Sequence, residues 1–526
     1  MLALISVIGL VALGLFSLVL QHVYVYLRDA KGLRKFPGMT PLAPFTNIPY
    51  LRVTGQGRRF KAVYEAHQRL GPVVRVGPNS VSFSDPVAIK DVYGHGSPVT
   101  KDTFYDNVAG SHRHLADVSD KHDHSRKRRV LAAAYSQAGL ESWEHIVFSR
   151  TRALVDQYDK QCISPEYHPS PHAIQSTSDP NKTKGYINHR QWMNIFAEDA
   201  ICQIGMSADL HMLEKGTDTV TIETHNGKKI TIGYRASLWG GHKIQRNFAW
   251  SHDWYKRMAK LTSWHPGWAH NKNYDAMVYY FTRKRLERYN KGEKLDDFFT
   301  YLFEDKYGNP NMYPMGELAA EASIMMNAGS DTTAIALTNV LYWLLKNPDA
   351  LAKLREELDA VLDPDEPVAP FDRVKHLPYL RACLDESMRL TPPNTMNIPR
   401  ITPPQGLSVM GHWIPGRTTV HCSTYTIHRN PKIFIEPLAY KPERWLGDEG
   451  KDLQQHFLTF SAGARGCIGR NITYMEQTIV LASLIFRFNF SLMSDDWVLE
   501  QEESFTCSPS DFPIRVRRRD FENLKA

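Results

Sequence analysis

The chain has 526 residues, 42% apolar and 23% charged, an ordinary globular balance that excludes a fibrous or disordered protein. Its 63 basic and 56 acidic residues leave a net charge of +7, too thin an excess over this length for a nucleic-acid-binding protein. The six cysteines (Cys162, Cys202, Cys383, Cys422, Cys467 and Cys507) are scattered with no Cys-x-x-Cys pair, which argues against a disulfide scaffold or a zinc finger.

Met1 to Leu27 contains no Asp, Glu, Lys or Arg. Leu2 to Leu20 is apolar and matches the roughly 20 residues a helix needs to cross a bilayer. Tyr24 and Tyr26 follow, where aromatic rings suit the headgroup level, and then Arg28, Lys31, Arg34 and Lys35, which the positive-inside tendency keeps in the cytosol. A cleaved signal peptide would show a basic start, a shorter apolar core and a small-residue cleavage site. Residues 1–27 are therefore read as one transmembrane signal anchor. Residues 28–49, with Pro37, Pro41, Pro44 and Pro49, are read as a stiff, extended linker, because proline fixes φ and removes donors.

From residue 50 the pattern predicts a helix over Arg59–Leu70 and short strands at Val73–Val76 and Ser80–Phe83, punctuated by Gly71-Pro72 and Gly77-Pro78. Residues 165–185 read as a surface loop rich in Ser, Pro, His and Asn. Thr219–Ile232 alternates around Asn226-Gly227, a hairpin signal. Met315–Lys346 lacks proline and closes at Asn347-Pro348, predicting one helix about 48 Å long. Helices follow at Asp349–Leu362, Tyr379–Leu390 and Asn471–Phe486. No linker between globular units is evident, so residues 50–526 are expected to form one domain, mainly α with small β-sheets.

Chemistry concentrates at Phe460-Ser461-Ala462-Gly463-Ala464-Arg465-Gly466-Cys467-Ile468-Gly469-Arg470. A cysteine in a glycine-rich loop entering a helix meets free backbone N–H groups and the positive end of the helix, both of which favour a thiolate. The glycines permit close approach of something flat and bulky, and Arg465 could reach an anionic group. A thiolate is a known axial ligand of haem iron. On the long helix, Ala328-Gly329-Ser330-Asp331-Thr332-Thr333 places two small residues before an acid beside a hydroxyl. That pair could relay protons, and a mid-helix threonine can bond its own backbone and open a groove. Glu386 and Arg389, three apart, share a helix face. His122/His124 and His112/His114 lack a suitably spaced third ligand for zinc. There is no P-loop, no helix-opening Gly-x-Gly-x-x-Gly and no His-Glu-x-x-His.

These segments together resemble the cytochrome P450 family. Phe460, Gly463, Arg465, Cys467 and Gly469 fill every fixed place of its Phe-x-x-Gly-x-Arg-x-Cys-x-Gly pattern. The resemblance implies the P450 fold and haem b, with Cys467 as axial ligand to the iron. It implies that Asp331 and Thr332 deliver protons to bound dioxygen. His124 and Arg128 would bond the haem propionates, with Arg400 as a further contact. Glu386, Arg389 and Arg444 (in Pro442-Glu443-Arg444-Trp445) would form a structural charge triad.

The implied reaction is monooxygenation in the endoplasmic reticulum membrane, with a single span and the catalytic domain facing the cytosol. The residues after Cys467 are too few for a fused flavin domain. Electrons are thus expected from NADPH through a separate flavoprotein, NADPH–cytochrome P450 reductase, with cytochrome b5 as a second donor. Arg126, Lys127, Arg129 and Arg470 are expected to form its docking face. Pocket segments are expected around Thr103, Phe104 and Tyr105, over 205–265, at Ala328, at Asn394–Asn397 and at Phe505. The segments 124–136, 328–333 and 380–445 look like those of filamentous-fungal enzymes that hydroxylate small aromatics. These include benzoate hydroxylases and patulin-pathway hydroxylases of m-cresol or m-hydroxybenzyl alcohol, which places the chain in secondary metabolism such as mycotoxin biosynthesis. The alternatives are a detoxifying benzoate-type hydroxylase, a haem-thiolate isomerase or dehydratase, and a non-catalytic haem-binding membrane protein. The Asp331-Thr332 pair argues against the last two.

Overall fold

The computed structural model describes residues 2–162, 185–224, 226–251, 254–305, 307–396 and 398–521. The loop expected at 165–185 therefore lies almost wholly outside the described residues. Helix α1 (Leu2–Arg28) stands away from the body, and its Ile8–Arg28 stretch is long and apolar enough to cross a membrane.

The segment after it is not a free linker, which corrects the expectation for residues 28–49. Leu33, Phe36, Met39 and Ala43 are buried. Met39 N–H donates to Arg75 O and Arg75 N–H to Pro37 O, both at 2.8 Å. The prolines remove some donors, but the amides between them remain free to pair with the edge of the first sheet, and the apolar side chains supply the drive to dock.

That sheet has five strands in the order 73–77, 80–83, 419–422, 400–401 and 100–101. The middle pairing, Thr419–Cys422 on Ser80–Phe83, is parallel, and its neighbours are antiparallel. A second sheet joins Phe488–Leu492, Pro513–Arg518 and Tyr186–Asn188. The expected hairpin forms from Thr219–Glu223 and Lys229–Gly233, with Gly227 at φ 78° in a loop wider than two residues.

Helices make the bulk: α2 (Arg59–Leu70), α3 (Lys121–Ala132), α4 (Gln137–Gln161), α5 (His189–Met206), α6 (Tyr234–Ala249) and α7 (Gly267–Asn290) come first. Then follow α8 (Met315–Lys346), α9 (Pro348–Asp359), α10 (Pro378–Leu390) and α11 (Arg470–Arg487). Side-chain caps begin α3, where Asp120 accepts from Asp123 N–H at 2.7 Å, and α4, where Ser136 accepts from Gly139 N–H. Proline sits in the first turn of α9 and α10, where its missing N–H costs nothing. α8 runs through the middle, packed lengthwise against α5 and flanked by α7, α10 and α11. Both α5 and α11 are buried almost all round, so their sequences lack a polar stripe.

One buried polar knot fixes α10 to the segment before the cysteine loop. Glu386 accepts two bonds from Arg389, each 2.8 Å, and one from Arg444 Nε at 3.0 Å. Trp445 Nε1 and Lys441 N–H complete the carboxylate at 2.9 Å. Arg389 in turn donates to His428, Pro437 and Ala439 carbonyls. Glu386 and Arg389 are both fully buried, so each depends on the other for its charge to be tolerated.

Candidate functional site

The loop before α11 is shaped by backbone demands. Cys467 N–H donates to Phe460 O at 2.8 Å, and Gly466 N–H to Gly463 O at 3.0 Å, folding the segment back on itself. Gly463 has φ 66°, and a Cβ there would lie 2.0 Å from Tyr93 O, so no other residue fits. Phe460 packs on Tyr474 of α11, with ring centroids 5.2 Å apart. The Cys467 thiol is left accessible on the floor of a cavity of about 760 Å³. Its surroundings raise the thiol above its ordinary range. Burial is the larger effect, opposed by the Gly469 amide, Arg128 and Arg470. A coordinating metal ion deprotonates a thiol outright.

One wall of the cavity is strongly cationic. Lys101, Arg128, Arg400 and Arg465 all line it, beside His124. Arg465 donates to Val118 O at 2.6 Å and Ser119 O at 3.0 Å, and Arg128 to Gly466 O at 2.8 Å. Arg400 donates to Pro399 O at 3.0 Å and the Tyr105 hydroxyl at 3.3 Å. Among the described residues, no carboxylate forms an ion pair with any of these four. Burial, then Arg400 and Arg465, hold Lys101 well below its usual range. Burial, then Arg465, Lys101, Arg128 and Arg400, push His124 down to about 4. Such mutual repulsion beside a thiol calls for an anionic ligand with a thiol-binding centre. A planar macrocycle carrying two carboxylates and an iron matches this donor set, so the residues fit haem. Lys101 belongs to this group and was not singled out in the sequence; only its packing against Arg400 and Arg465 reveals it.

The same cavity is lined by the face of α8 that carries Ala328, Gly329 and Thr332. Thr332 Oγ1 donates to Ala328 O at 2.6 Å, the self-bonding expected of a mid-helix threonine. Asp331 and Thr332 are not hydrogen-bonded to each other, which corrects the picture of a direct acid–hydroxyl pair. Successive helical residues point about 100° apart. Asp331 is buried behind the cavity wall, where Oδ1 accepts from Arg190 Nη2 at 3.2 Å and Oδ2 from Thr506 Oγ1 at 2.5 Å. Thr506 lines the cavity and Asp331 does not. Neither Thr506 nor Arg190 carries a local sequence signal.

The rest of the wall comes from segments far apart in sequence. Phe104, Tyr105, Ala328, Asn394, Met396 and Phe505 line the cavity as expected, whereas Thr103 and Thr395 do not. Thr395 instead donates to Glu503, the buried partner of Arg59. Asn397 lies outside the described residues. Among the described residues of the 205–265 region only α6 contributes, through Ser237, Leu238, His242 and Gln245.

The proposed docking face needs a correction as well. Lys127 is buried and pairs with Glu317 at 2.6 Å and Glu321 at 3.0 Å, and Arg126 pairs with Asp123 and Glu317. Lys127 points at the acidic first turns of α8 rather than outward, whereas Arg126 bridges Asp123 and Glu317 and stays partly exposed. Arg129 and Arg470 remain exposed.

Taken with the fold, a cysteine thiol and the Ala328–Thr332 stretch of the central helix lining one cavity point to a haem-thiolate protein. Comparison with known proteins agrees. The Cytochrome P450 family model matches residues 36–515. "Cytochrome P450 monooxygenase cicH" of Emericella nidulans is 30% identical over 96% of this chain and 97% of its own. "Benzoate 4-monooxygenase bphA" of Aspergillus niger is 28% identical over the same shares. "Tryprostatin B 6-hydroxylase" of Aspergillus fumigatus is 27% identical over 88% of this chain and 77% of its own. The chain belongs to the cytochrome P450 family and is a monooxygenase of the kind found in fungi.

Proposed function

We propose that this enzyme hydroxylates a small aromatic compound, on the ring or a methyl group, in fungal secondary metabolism. The reading includes a membrane-anchored setting in the endoplasmic reticulum, with the catalytic domain in the cytosol and electrons from NADPH through a separate reductase. Cytochrome b5 remains a second donor. The observation that carries the chemistry is that the Cys467 thiol and Thr332 line one cavity, into which, among the described residues, Lys101, Arg128, Arg400 and Arg465 bring the only lysine and arginine side chains. The small-aromatic reading rests on the sequence likeness and on relatives named for benzoate and for tryprostatin B.

When bound, haem supplies oxygen activation, placing one atom of O2 into a C–H bond while the other leaves as water. The chain's residues do the rest. Cys467 would ligate the iron and donate electron density to it. Arg128, Arg400, Arg465, His124 and Lys101 anchor and orient the macrocycle through its carboxylates. Thr332 holds a proton in the α8 groove, and Asp331 supplies protons to the cavity by way of Thr506. Apolar side chains such as Phe104, Leu238, Val278 and Phe505 position the ring and exclude water.

Purified holoenzyme with a reductase and NADPH, given a panel of phenols, benzylic alcohols and benzoates, should yield a product with one added oxygen atom from at least one of them. No oxygenated product from the whole panel would remove the small-aromatic reading. Benzoate itself is the second reading, carried by the bphA relative.

A further inference from the structure

All four lysine and arginine residues of the cavity lie on the haem-side wall, and their charges act on one another. Helices α6, α7 and α8, which roof the remaining space, bring none. Their cavity-facing polar side chains include His242 and Gln245 from α6, Asn271 and Asp275 from α7, and Asn327 from α8. Four of these are neutral or held neutral, and the fifth is an acid. A substrate carboxylate entering here would find no fixed cation and would face Asp275. Burying an unpaired charge in such a place is costly, whereas a hydroxyl loses little if it is hydrogen-bonded.

Two of these residues form a prepared partner for such a hydroxyl. His242 is 8% exposed, and its ring lies edge-on to Phe505, with centroids 4.8 Å apart. Burial pushes its pKa down to about 4, so the imidazole is neutral at physiological pH. Asn327 Nδ2 lies 3.2 Å from its Nε2, and with the amide donating there the neutral ring carries its proton on Nδ1. Nδ1 is enclosed and has no hydrogen-bond partner among the described residues, so a small rotation of the ring would present its proton to the cavity. Asn327 is only partly buried on the cavity wall, and its Oδ1 is left free to accept. Asn327 directly precedes Ala328 on α8, and His242, Ala328 and Thr332 line the same cavity.

We propose that His242 and Asn327 form the specificity-determining contact for an uncharged hydroxyl, phenolic or benzylic, and that the enzyme selects neutral hydroxylated aromatics over aromatic carboxylates. The proposal rests on the small-aromatic reading and narrows it. It predicts that this chain differs in ligand preference from the relative named for benzoate.

The test titrates full-length holoenzyme at pH 7 with m-hydroxybenzyl alcohol, m-cresol, m-xylene, benzoate and m-hydroxybenzoate, reading the haem spin-state shift. The hydroxylated neutral ligands should bind at least about tenfold more tightly than either carboxylate and than m-xylene, a difference near 1.4 kcal/mol. In His242→Phe and Asn327→Leu the preference over m-xylene should fall to about twofold or less. His242→Gln, which keeps a donor and an acceptor, should retain most of it. Each variant is accepted as folded only if its reduced carbon monoxide spectrum matches that of the parent. Equal or tighter binding of a carboxylate would overturn the proposal and leave the small-aromatic reading standing. An unchanged preference in both apolar variants would overturn it too. No shift with any ligand, from an enzyme with an intact spectrum, would remove both.

Discussion

Thr506 donates its hydroxyl to Asp331 at 2.5 Å, and of the two it is Thr506 that reaches the cavity. The acid on α8 thus communicates with the reacting centre through a residue near the C-terminus, 175 positions away in sequence. Removing either end should impair proton supply without disturbing the thiol. Asp331→Asn and Thr506→Val should each lower the yield of product per NADPH oxidised, with turnover falling about 10²-fold, while Thr506→Ser stays near the parent. Product and NADPH measured together decide this. Full coupling in Thr506→Val would show that Asp331 reaches the cavity by another route.

Lys101 is buried, with no ion-pair partner among the described residues, on a wall shared with Arg400 and Arg465. Its ammonium donates to Ala116 O and lies 4.4 Å from the centre of the Tyr105 ring. If haem carboxylates balance this charge, Lys101→Met should act with opposite signs on two measurements. The haem-free polypeptide should gain stability, because an uncompensated charge is gone. The holoenzyme should lose haem about tenfold faster to a scavenger. Haem loss at the parental rate would separate Lys101 from propionate binding.

The Glu386 knot should be structural. Glu386→Ala leaves Arg389 and Arg444 without their carboxylate, and breaking a buried pair typically costs about 3–5 kcal/mol. The denaturation midpoint of the holoenzyme should drop accordingly, with the residual folded fraction keeping parental turnover per haem. A normal midpoint would mean the arginines are satisfied by the carbonyls of residues 428–439 alone.

Acid should destabilise the fold through buried histidines. Burial drives His67 down to about 4 and His189 and His428 to about 3, and holds His421 well below its usual range. Near pH 6.5 these four gain protons in the unfolded chain but not in the folded one. Unfolded protein then binds more protons, so stability is full above pH 6.5 and is lost as pH falls toward 4. Each of these histidines contributes up to ~1.4 kcal/mol per pH unit in that window. Urea unfolding at pH 7, 6 and 5 should show the midpoint falling steadily. His67→Gln, which can still meet Gly71 O and Ser82, should flatten the slope.

Much of this was legible in the sequence because it is local. Cys467 sits in a loop whose glycine spacing is set by a few backbone bonds, and the long α8 is marked by the absence of proline between Met315 and Lys346. Glu386 and Arg389 share a helix face by spacing alone. What the sequence left hidden depends on distant chain segments meeting. Thr506 and Arg190 reach Asp331 from other elements, Lys101 joins Arg400 and Arg465 across a sheet, and Lys127 turns inward because Glu317 and Glu321 lie behind it. The proline-rich stretch misled for a related reason. Its composition describes stiffness, while its docking depends on the free edge of the strand at Arg75.

The most direct test is the carbon monoxide difference spectrum of the reduced, full-length protein beside its Cys467→Ala and Cys467→His variants. A haem-thiolate centre on Cys467 predicts a peak at the thiolate position in the parent and its loss in both variants, with haem still bound in Cys467→His. A parental peak at the position of a nitrogen-ligated haem, or a thiolate peak that survives in Cys467→Ala, would contradict it.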